Sequence, residues 1–208
     1  LMDVNELSTQ LDQKLSGMIK EAGKGLVIVV SKWDSVEDRD AYTRDSLAPQ
    51  ITRNFQFVPW APLIFTSSVT GQNVTKLFDL ALDIELERKQ QVKTTELNKI
   101  LQACIRKHPP AGLKNTMPKL RYMVQTDNSP PWFVIFGSNL TFLHWSYKRY
   151  LERSVREAHP FVGTPIMFSF RDEKQIKANK ERIAQGKEPV TKAYKLKKEA
   201  EKNTPKDS

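Results

Sequence analysis

The fold is decided by residues 25–34, which read Gly-Leu-Val-Ile-Val-Val-Ser-Lys-Trp-Asp. The apolar run from Leu26 to Val30 is mostly β-branched, which is typical of a strand buried on both faces in the parallel sheet of an α/β domain. Loops that carry function lie at the carboxyl ends of such strands. The polar segment Ser31–Asp34 after this strand is therefore the first candidate site in the chain.

The loop Ser31–Asp34 resembles the Asn-Lys-X-Asp guanine-recognition loop of GTPases, with Ser31 in the place of the asparagine. The resemblance implies that the Asp34 carboxylate accepts from the ring N–H and the exocyclic amine of guanine, while the stem of Lys32 covers the base. Adenine lacks this donor pair, so the wrong base costs about 1–3 kcal/mol per unsatisfied group. The serine hydroxyl cannot make the two amide hydrogen bonds of asparagine, so a reduced guanine affinity is expected. The alternative is a plain strand-to-helix connection.

A second apolar run, Pro62–Phe65, also ends in a polar loop, Thr66–Asn73. Within it, Ser67–Gly71 resembles the Ser-Ala-X-Thr-Gly segment that closes the guanine pocket of translation-factor-type GTPases, with Ser68 in the place of the alanine. In those proteins a backbone N–H meets the guanine carbonyl oxygen, and small residues permit the close approach. The resemblance implies that Ser67 and Ser68 close over the base. The alternative is an ordinary turn and helix N-cap rich in Ser, Thr and Gly.

Residues 1–93 are expected to form the carboxyl-terminal half of a P-loop-NTPase-type GTPase domain, with a partial parallel sheet. Residues 1–3 are interpreted as the end of a further strand. Apolar side chains at helical spacing, among them Leu11, Leu15 and Met18, predict helices around these strands.

The phosphate-binding motifs of a GTPase do not occur in this sequence. None of the eight glycines completes Gly-x4-Gly-Lys-Ser/Thr or Asp-x-x-Gly, the motifs that hold phosphates and Mg²⁺. We assign no catalytic residue and expect that this chain alone does not hydrolyse GTP. GTP or GDP would meet it through the guanine end only, and Mg²⁺ would be held by the missing half of the domain.

Charge is distributed unevenly along the chain. Residues 1–93 carry 11 basic and 13 acidic side chains, residues 94–171 carry 11 and 4, and residues 172–208 carry 11 and 7. A middle segment with a net charge of +7 is suited to phosphate contacts, and RNA is the expected partner, with an anionic membrane as the rival. The sequence offers no membrane-spanning run, and its single cysteine favours a cytoplasmic protein without an internal disulfide.

Residues 94–171 are predicted to form a small α+β domain in the order α-β-β-α-β, which suits a KH-like fold. The Gly-X-X-Gly clamp of ordinary KH modules is missing, so sequence-specific clamping of single-stranded RNA is not expected. On the second predicted helix, Arg149, Arg153 and Arg156 recur at i, i+4 and i+7 with few acidic neighbours. This stripe predicts an RNA-binding face, and the alternative is a plain solvated face.

Residues 172–208 are rich in Lys and Glu and hold few residues that could form a core. They are predicted to be a disordered basic tail, which serves either as an RNA tether or as a solubilising extension. The three histidines and the one cysteine fall on different predicted elements, so no metal site is expected.

The run His144–Glu152 and the segment Gly163–Ile166, together with Thr70–Asn73, resemble the Der (EngA) family of bacterial GTPases. That family has two consecutive GTPase domains followed by a KH-like domain, binds the ribosome and acts in large-subunit assembly. The resemblance covers residues 1–171, the end of the second GTPase domain and the KH-like domain. It implies that Lys32 and Asp34 hold guanine, that Ser31 braces the loop, and that Ser67 and Ser68 close over the base. The implied partners are the large ribosomal subunit, its rRNA and the missing amino-terminal GTPase portions.

Two functions remain open from the sequence. The first is a part of a GTP-binding GTPase of large-subunit assembly that contributes guanine recognition and rRNA contact. The second is a stand-alone RNA- or ribosome-binding module that keeps a vestigial guanine pocket.

Overall fold

A computed structural model describes residues 1–37, 41–112 and 116–190 of the chain. Within these residues the chain forms two three-stranded sheets and six α-helices. The first sheet is parallel and the second is mixed. This architecture confirms the predicted fold class, an α/β unit followed by a KH-like α+β unit.

The first sheet has the order β1-β2-β3, with β2 in the centre. Its strands are β1 (Met2–Asp3), β2 (Ile28–Ser31) and β3 (Leu63–Phe65). Helices α1 (Gln10–Glu21), α2 (Ala41–Asn54) and α3 (Val74–Lys89) follow the three strands in turn. Parallel strands need such crossover connections, and the fully buried Val30 shows that the apolar run of β2 lies in the core. The carboxyl ends of β2 and β3 therefore lie side by side.

Helix α1 begins with a capping box that its sequence specifies. The hydroxyl of Thr9 accepts from the backbone N–H of Asp12 at 3.2 Å, and the Asp12 carboxylate accepts from the N–H of Thr9 at 3.0 Å. Two backbone donors at the helix start are thereby satisfied. Gly23, with a φ of +64°, lies just after the helix, where the left-handed conformation favours glycine.

The second sheet has the order β4-β5-β6, with β4 and β5 antiparallel and β5 and β6 parallel. Its elements follow the predicted order α-β-β-α-β: α4 (Thr94–Lys107), β4 (Lys119–Asn128), β5 (Pro131–Ser138), α5 (Trp145–Ala158) and β6 (Met167–Asp172). Both helices pack on one face of the sheet, where Leu101, Ile135 and Val155 share a fully buried core. Cys104 belongs to this core and is buried.

Helix α6 (Glu173–Ala184) corrects part of the prediction of a disordered tail at residues 172–208. It follows β6 directly and contacts β5 and β6. The N–H of Val190 donates to Asn179 Oδ1 at 2.9 Å, and Gln175 Nε2 donates to the Val190 carbonyl at 3.1 Å, so the segment after the helix folds back on it. The prediction from composition missed this helix because the helix contacts a sheet face that exists only in the folded protein. Residues 191–208 lie outside the described residues.

The backbone of Gly163 joins the two sheets. Its N–H donates to the carbonyl of Trp60 at 2.7 Å, and its carbonyl accepts from the N–H of Leu26 at 2.8 Å. Its φ of +65° is a left-handed conformation that glycine adopts without strain. A Cβ atom here would overlap the side chain of the buried Ile84.

Arg88 crosses the same junction with a side chain that is mostly buried. Its guanidinium donates to the carbonyl of Gly23 at 2.9 Å and to the hydroxyl of Ser129 at 3.3 Å. Because Gly23 precedes β2 and Ser129 lies in the β4–β5 turn, one side chain of α3 bonds to both units.

Gly163→Ala is expected to destabilise the chain by about 2–4 kcal/mol, because it combines left-handed strain with overlap against Ile84. Gly71→Ala is the matched control, since Gly71 has a φ of +73° but no atom within 4 Å of its ideal Cβ position. The control should lose only about 1–2 kcal/mol. Urea unfolding of the full chain measures both values. Equal losses in the two variants would show that Ile84 does not fill the space at Gly163.

Candidate functional site

The two polar loops that follow β2 and β3 are neighbours. The N–H of Thr66 donates to the carbonyl of Val30 at 2.8 Å, and the N–H of Trp33 donates to the carbonyl of Thr66 at 3.1 Å. These bonds continue the ladder between β2 and β3 beyond the strands. The predicted residues Ser31, Lys32, Asp34, Ser67 and Ser68 therefore lie at one edge of the sheet.

Asp34 and Ser67 are in direct contact. The hydroxyl of Ser67 donates to Asp34 Oδ1 at 2.5 Å and accepts from the N–H of Thr70 at 3.1 Å. Ser67 is fully buried, and its N–H donates to the carbonyl of Gln72 at 3.1 Å, which closes the second loop. A carboxylate has about four lone-pair sites, so Asp34 keeps acceptor capacity for two more donors.

The first loop is anchored by Trp33 and turned by Lys32. The indole of Trp33 is buried, and its centroid lies 4.8 Å from that of Phe65. Lys32 has a φ of +57°, and a 3-10 helix follows at Trp33–Ser35. The hydroxyl of Ser35 donates to the carbonyl of Lys32 at 2.8 Å and secures this turn. The turn leaves Asp34 half-buried beside the second loop.

Asp3 is a member of this cluster that the sequence analysis missed. Lys32 Nζ lies 2.6 Å from Asp3 Oδ2. This contact lowers the pKa of the Asp3 carboxyl and raises the pKa of the Lys32 ammonium. The sequence feature that could have identified Asp3 is an acidic residue at the end of a neighbouring strand. In the structure Asp3 pairs in register with Ser31.

Ser31 and Ser68 differ in their surroundings. The hydroxyl of Ser31 donates to the carbonyl of Met2 at 2.9 Å, so it ties β2 to β1 and does not reach the second loop. Ser68 is exposed beside the buried Ser67. The side-chain amide of Asn73, which sequence analysis did not select, donates to the carbonyl of Phe65 at 2.9 Å and fixes the end of the second loop.

The three arginines predicted on α5 do not form a uniform face. Arg149 is exposed and its guanidinium lies 4.7 Å from the ring centroid of Trp145. The Arg153 side chain is 81% exposed and pairs with Glu157 at 3.2 Å.

Arg156 corrects the prediction of a solvent-facing stripe, because its side chain is only 12% exposed. Its guanidinium donates to the carbonyls of Pro160, Phe161 and Thr164 at 3.1–3.3 Å, and it lies 5.5 Å from the ring centroid of Trp60. Burial lowers the pKa of Arg156, and the nearby Glu152 opposes this effect. This arginine braces the turn that presents Gly163.

A groove runs between α5 and the loop after α2, with a cavity volume of about 730 Å³. We call it the arginine groove. Its lining residues are Lys20, Asn54, Gln56, Phe57, Pro59, Arg149, Glu152, Arg153, Arg156 and Glu157. Lys20 Nζ is engaged with the carbonyl of Phe57 at 2.7 Å. The groove thus joins side chains of both units and carries four cations against two carboxylates.

Within the part of the chain that the structure describes, no group of three or more His, Cys, Asp or Glu side chains is placed to hold a metal ion. No helix in the same residues is long and apolar enough to cross a membrane.

Comparison with known proteins gives two results. Residues 91–171 match the family described as KH-domain-like of EngA bacterial GTPase enzymes, C-terminal. GTPase Der of Thermomicrobium roseum is 39% identical over 83% of this chain and 38% of its own length. GTPase Der of Chloroflexus aggregans is 40% identical over 82% and 38%, and that of Gloeobacter violaceus is 36% identical over 91% and 41%. The chain spans about two fifths of the length of these relatives.

Proposed function

Because the chain corresponds to the carboxyl-terminal part of the GTPase Der (EngA) family, we propose that residues 1–93 recognise the guanine of GTP or GDP and that residues 94–171 contact large-subunit ribosomal RNA. The relatives are GTPases by name, which implies the use of guanine nucleotides. In this proposal the chain contributes binding to ribosome assembly in the cytoplasm, and a partner supplies the groups for the phosphates and Mg²⁺.

The contact between Asp34 and Ser67 is the observation that carries the guanine proposal. Guanine presents two adjacent donors, its ring N–H and exocyclic amine, and one carboxylate can accept from both. The buried Ser67 fixes the orientation of Asp34 before the base arrives, which reduces the ordering cost of binding. The pair with Asp3 holds the Lys32 stem at the edge of the same slot.

Two helices support the proposal of a partner that carries the phosphate-binding half. Each presents a row of apolar side chains that are between 48% and 69% exposed: Leu11, Leu15 and Met18 on α1, and Phe78, Leu82 and Leu86 on α3. Exposed apolar patches of this kind mark interaction surfaces. Among the described residues, β1 pairs on one side only, with β2. An α/β half-domain could add strands at that edge and cover both rows.

The arginine groove and the charge distribution support the RNA proposal. Arg149 and Arg153 line the groove and are exposed, and Trp145 lies beside Arg149. The net charge of +7 in residues 94–171 adds a longer-range attraction for phosphate. Arg156 acts in this proposal as a brace of the groove wall.

A stand-alone RNA- or ribosome-binding module with a vestigial guanine pocket is the alternative. The serine at position 31 favours it, because its hydroxyl bonds to Met2 and leaves the second loop without the amide that asparagine would supply. Retained RNA binding together with equal affinity for all purine nucleotides would support this alternative.

The guanine proposal predicts that the full chain binds GMP more tightly than IMP, and IMP more tightly than AMP. IMP lacks the exocyclic amine, so its loss should be about 1–3 kcal/mol, and AMP should lose more. Asp34→Ala should remove the preference, while Asp45→Ala on the exposed face of α2 should keep it. Saturation-transfer NMR with each nucleotide measures the ranking. A wild-type chain that binds the three equally contradicts the proposal.

The partner proposal predicts that the chain binds the amino-terminal three fifths of its Thermomicrobium roseum relative when the two are mixed. Leu15→Glu and Leu82→Glu should each abolish co-elution, because a buried unpaired carboxylate costs several kcal/mol. Ile183→Glu, on the exposed side of α6, is the matched control and should leave co-elution intact. Size-exclusion chromatography gives the readout. Co-elution that survives both α1 and α3 variants assigns the contact elsewhere.

The RNA proposal predicts that Arg149→Gln and Arg153→Gln each weaken binding to large-subunit rRNA. Each should also reduce the slope of log K against log salt by about 1, because one phosphate contact is lost. Arg44→Gln, on α2 with a side chain that is 53% exposed, is the control. Filter binding over a salt series measures affinity and slope. Unchanged slopes would leave the groove as a solvated surface.

A further inference from the structure

The face of the second sheet that points away from α4 and α5 carries aromatic side chains. Tyr122 of β4 and Phe136 of β5 are register partners, and their rings stack with centroids 4.7 Å apart and planes 8° from parallel. Tyr122 and Trp132 are 42% and 37% exposed. Strand side chains alternate between faces, so these rings lie opposite Phe133 and Ile135, which fill the core.

We call this surface the outer face and define it by Tyr122, Thr126, Trp132, Phe136, Ser169 and Arg171. A cavity of about 570 Å³ lies on it, and Ile176 of α6 contributes to its lining. This volume falls within the range of small-ligand pockets. The cavity lining combines flat apolar rings with hydroxyls and the carboxylate of Asp127.

Two side chains of the outer face, Trp132 and Arg171, differ in how they are held. Trp132 Nε1 donates to the hydroxyl of Ser169 at 2.8 Å, which holds the indole in place on the sheet. The Arg171 guanidinium is exposed and forms no hydrogen bond or ion pair with another residue in the described ranges. Arg121 at the rim pairs with Glu173 at 3.0 Å and so tethers the start of α6.

We infer that the outer face binds the bases of single-stranded RNA, with Tyr122, Phe136 and Trp132 as stacking platforms and Arg171 at the phosphate backbone. Aromatic rings displayed on a β-sheet stack unpaired bases in other RNA-binding modules, and Thr126, Asp127 and Ser169 are placed to meet base edges. The inference rests on the proposed function in taking RNA as the partner. The surface is separate, because the arginine groove is formed by α5 on the opposite side of the sheet.

The chemistry of the outer face favours a single strand over the other candidates. In a duplex the bases are stacked on one another, so the exposed aromatic rings of this face cannot stack on them. Protein interfaces are also rich in aromatic rings and arginine, so the charge around the cavity decides between a protein and an RNA partner. The surrounding residues 94–171 carry a net charge of +7, which attracts phosphate and repels basic surfaces.

The test uses the full chain and a fluorescein-labelled single-stranded RNA about ten nucleotides long, within the site sizes of such binders. Trp132→Leu and Tyr122→Leu remove the rings, and Trp132→Phe and Tyr122→Phe keep a ring at each position. Ile183→Ala, at an exposed apolar side chain of α6 that does not line the cavity, is the control. Fluorescence anisotropy over a salt series gives the affinity and its salt slope, and thermal unfolding checks that each variant folds.

The leucine variants should bind about fivefold to hundredfold more weakly, since each base stacked on an aromatic ring contributes that much. The phenylalanine variants and Ile183→Ala should bind nearly as the wild type does. The salt slope should not change, because no phosphate contact is lost, which separates this surface from Arg149 and Arg153.

Three results would overturn the inference. Leucine variants with wild-type affinity, alongside weakened Arg149 and Arg153 variants, would reject the outer face and keep the RNA proposal. Copurification of another polypeptide that depends on Trp132, with unchanged RNA affinity, would assign the face to protein. A wild-type chain that binds neither single-stranded nor ribosomal RNA would overturn the inference and the RNA proposal together.

Discussion

The two hydrogen bonds of the Gly163 backbone fix the position of the first sheet against the second. They end at Leu26, which leads into β2, and at Trp60, which precedes β3. Both partners are buried and both bonds are short, so the junction is part of the folded core. Arg156 holds the turn that offers Gly163, and Arg88 holds the turn beside Gly23. The positions of the proposed guanine-recognition loops and of the arginine groove therefore depend on this junction.

Strand β2 connects the junction to the two loops that we propose to recognise guanine. Its amino end meets Gly163, and its carboxyl end leads into the loop that carries Asp34. The arginine groove opens on the junction side, because Phe57 and Pro59 form one wall and α5 forms the other. An RNA strand in that groove would contact both units, whereas a strand on the outer face would contact the KH-like unit alone. RNA binding in the groove would therefore depend on the geometry of the junction, whereas RNA binding on the outer face would not.

Local patterns in the sequence were sufficient for much of the fold and for placing Asp34 and Ser67 on neighbouring loops. The apolar run of β2 and the polar residues after it are local signals, and Asp34 and Ser67 follow from them. Asp3 could not be found, because its contact with Lys32 depends on the register of two parallel strands. Arg156 was placed on the correct helix, but its burial depends on the conformation of the turn that follows the helix, which helical spacing does not specify. Helix α6 was not predicted because Ile176 lies against a face of the second sheet, and that face exists only in the folded protein.

The residues that form the junction at Gly163 differ in how well they tolerate substitution. On the side of the first sheet it uses only the N–H of Leu26 and the carbonyl of Trp60, which nearly every amino acid can supply. On the other side it needs a residue without a Cβ, because Ile84 occupies the space. Substitutions at positions 26 and 60 therefore keep both backbone bonds as long as the new side chains fit the core in which Leu26 and Trp60 are buried, whereas position 163 requires glycine. A library that randomises the three positions would retain glycine alone at position 163 and a set of core-compatible apolar residues at positions 26 and 60.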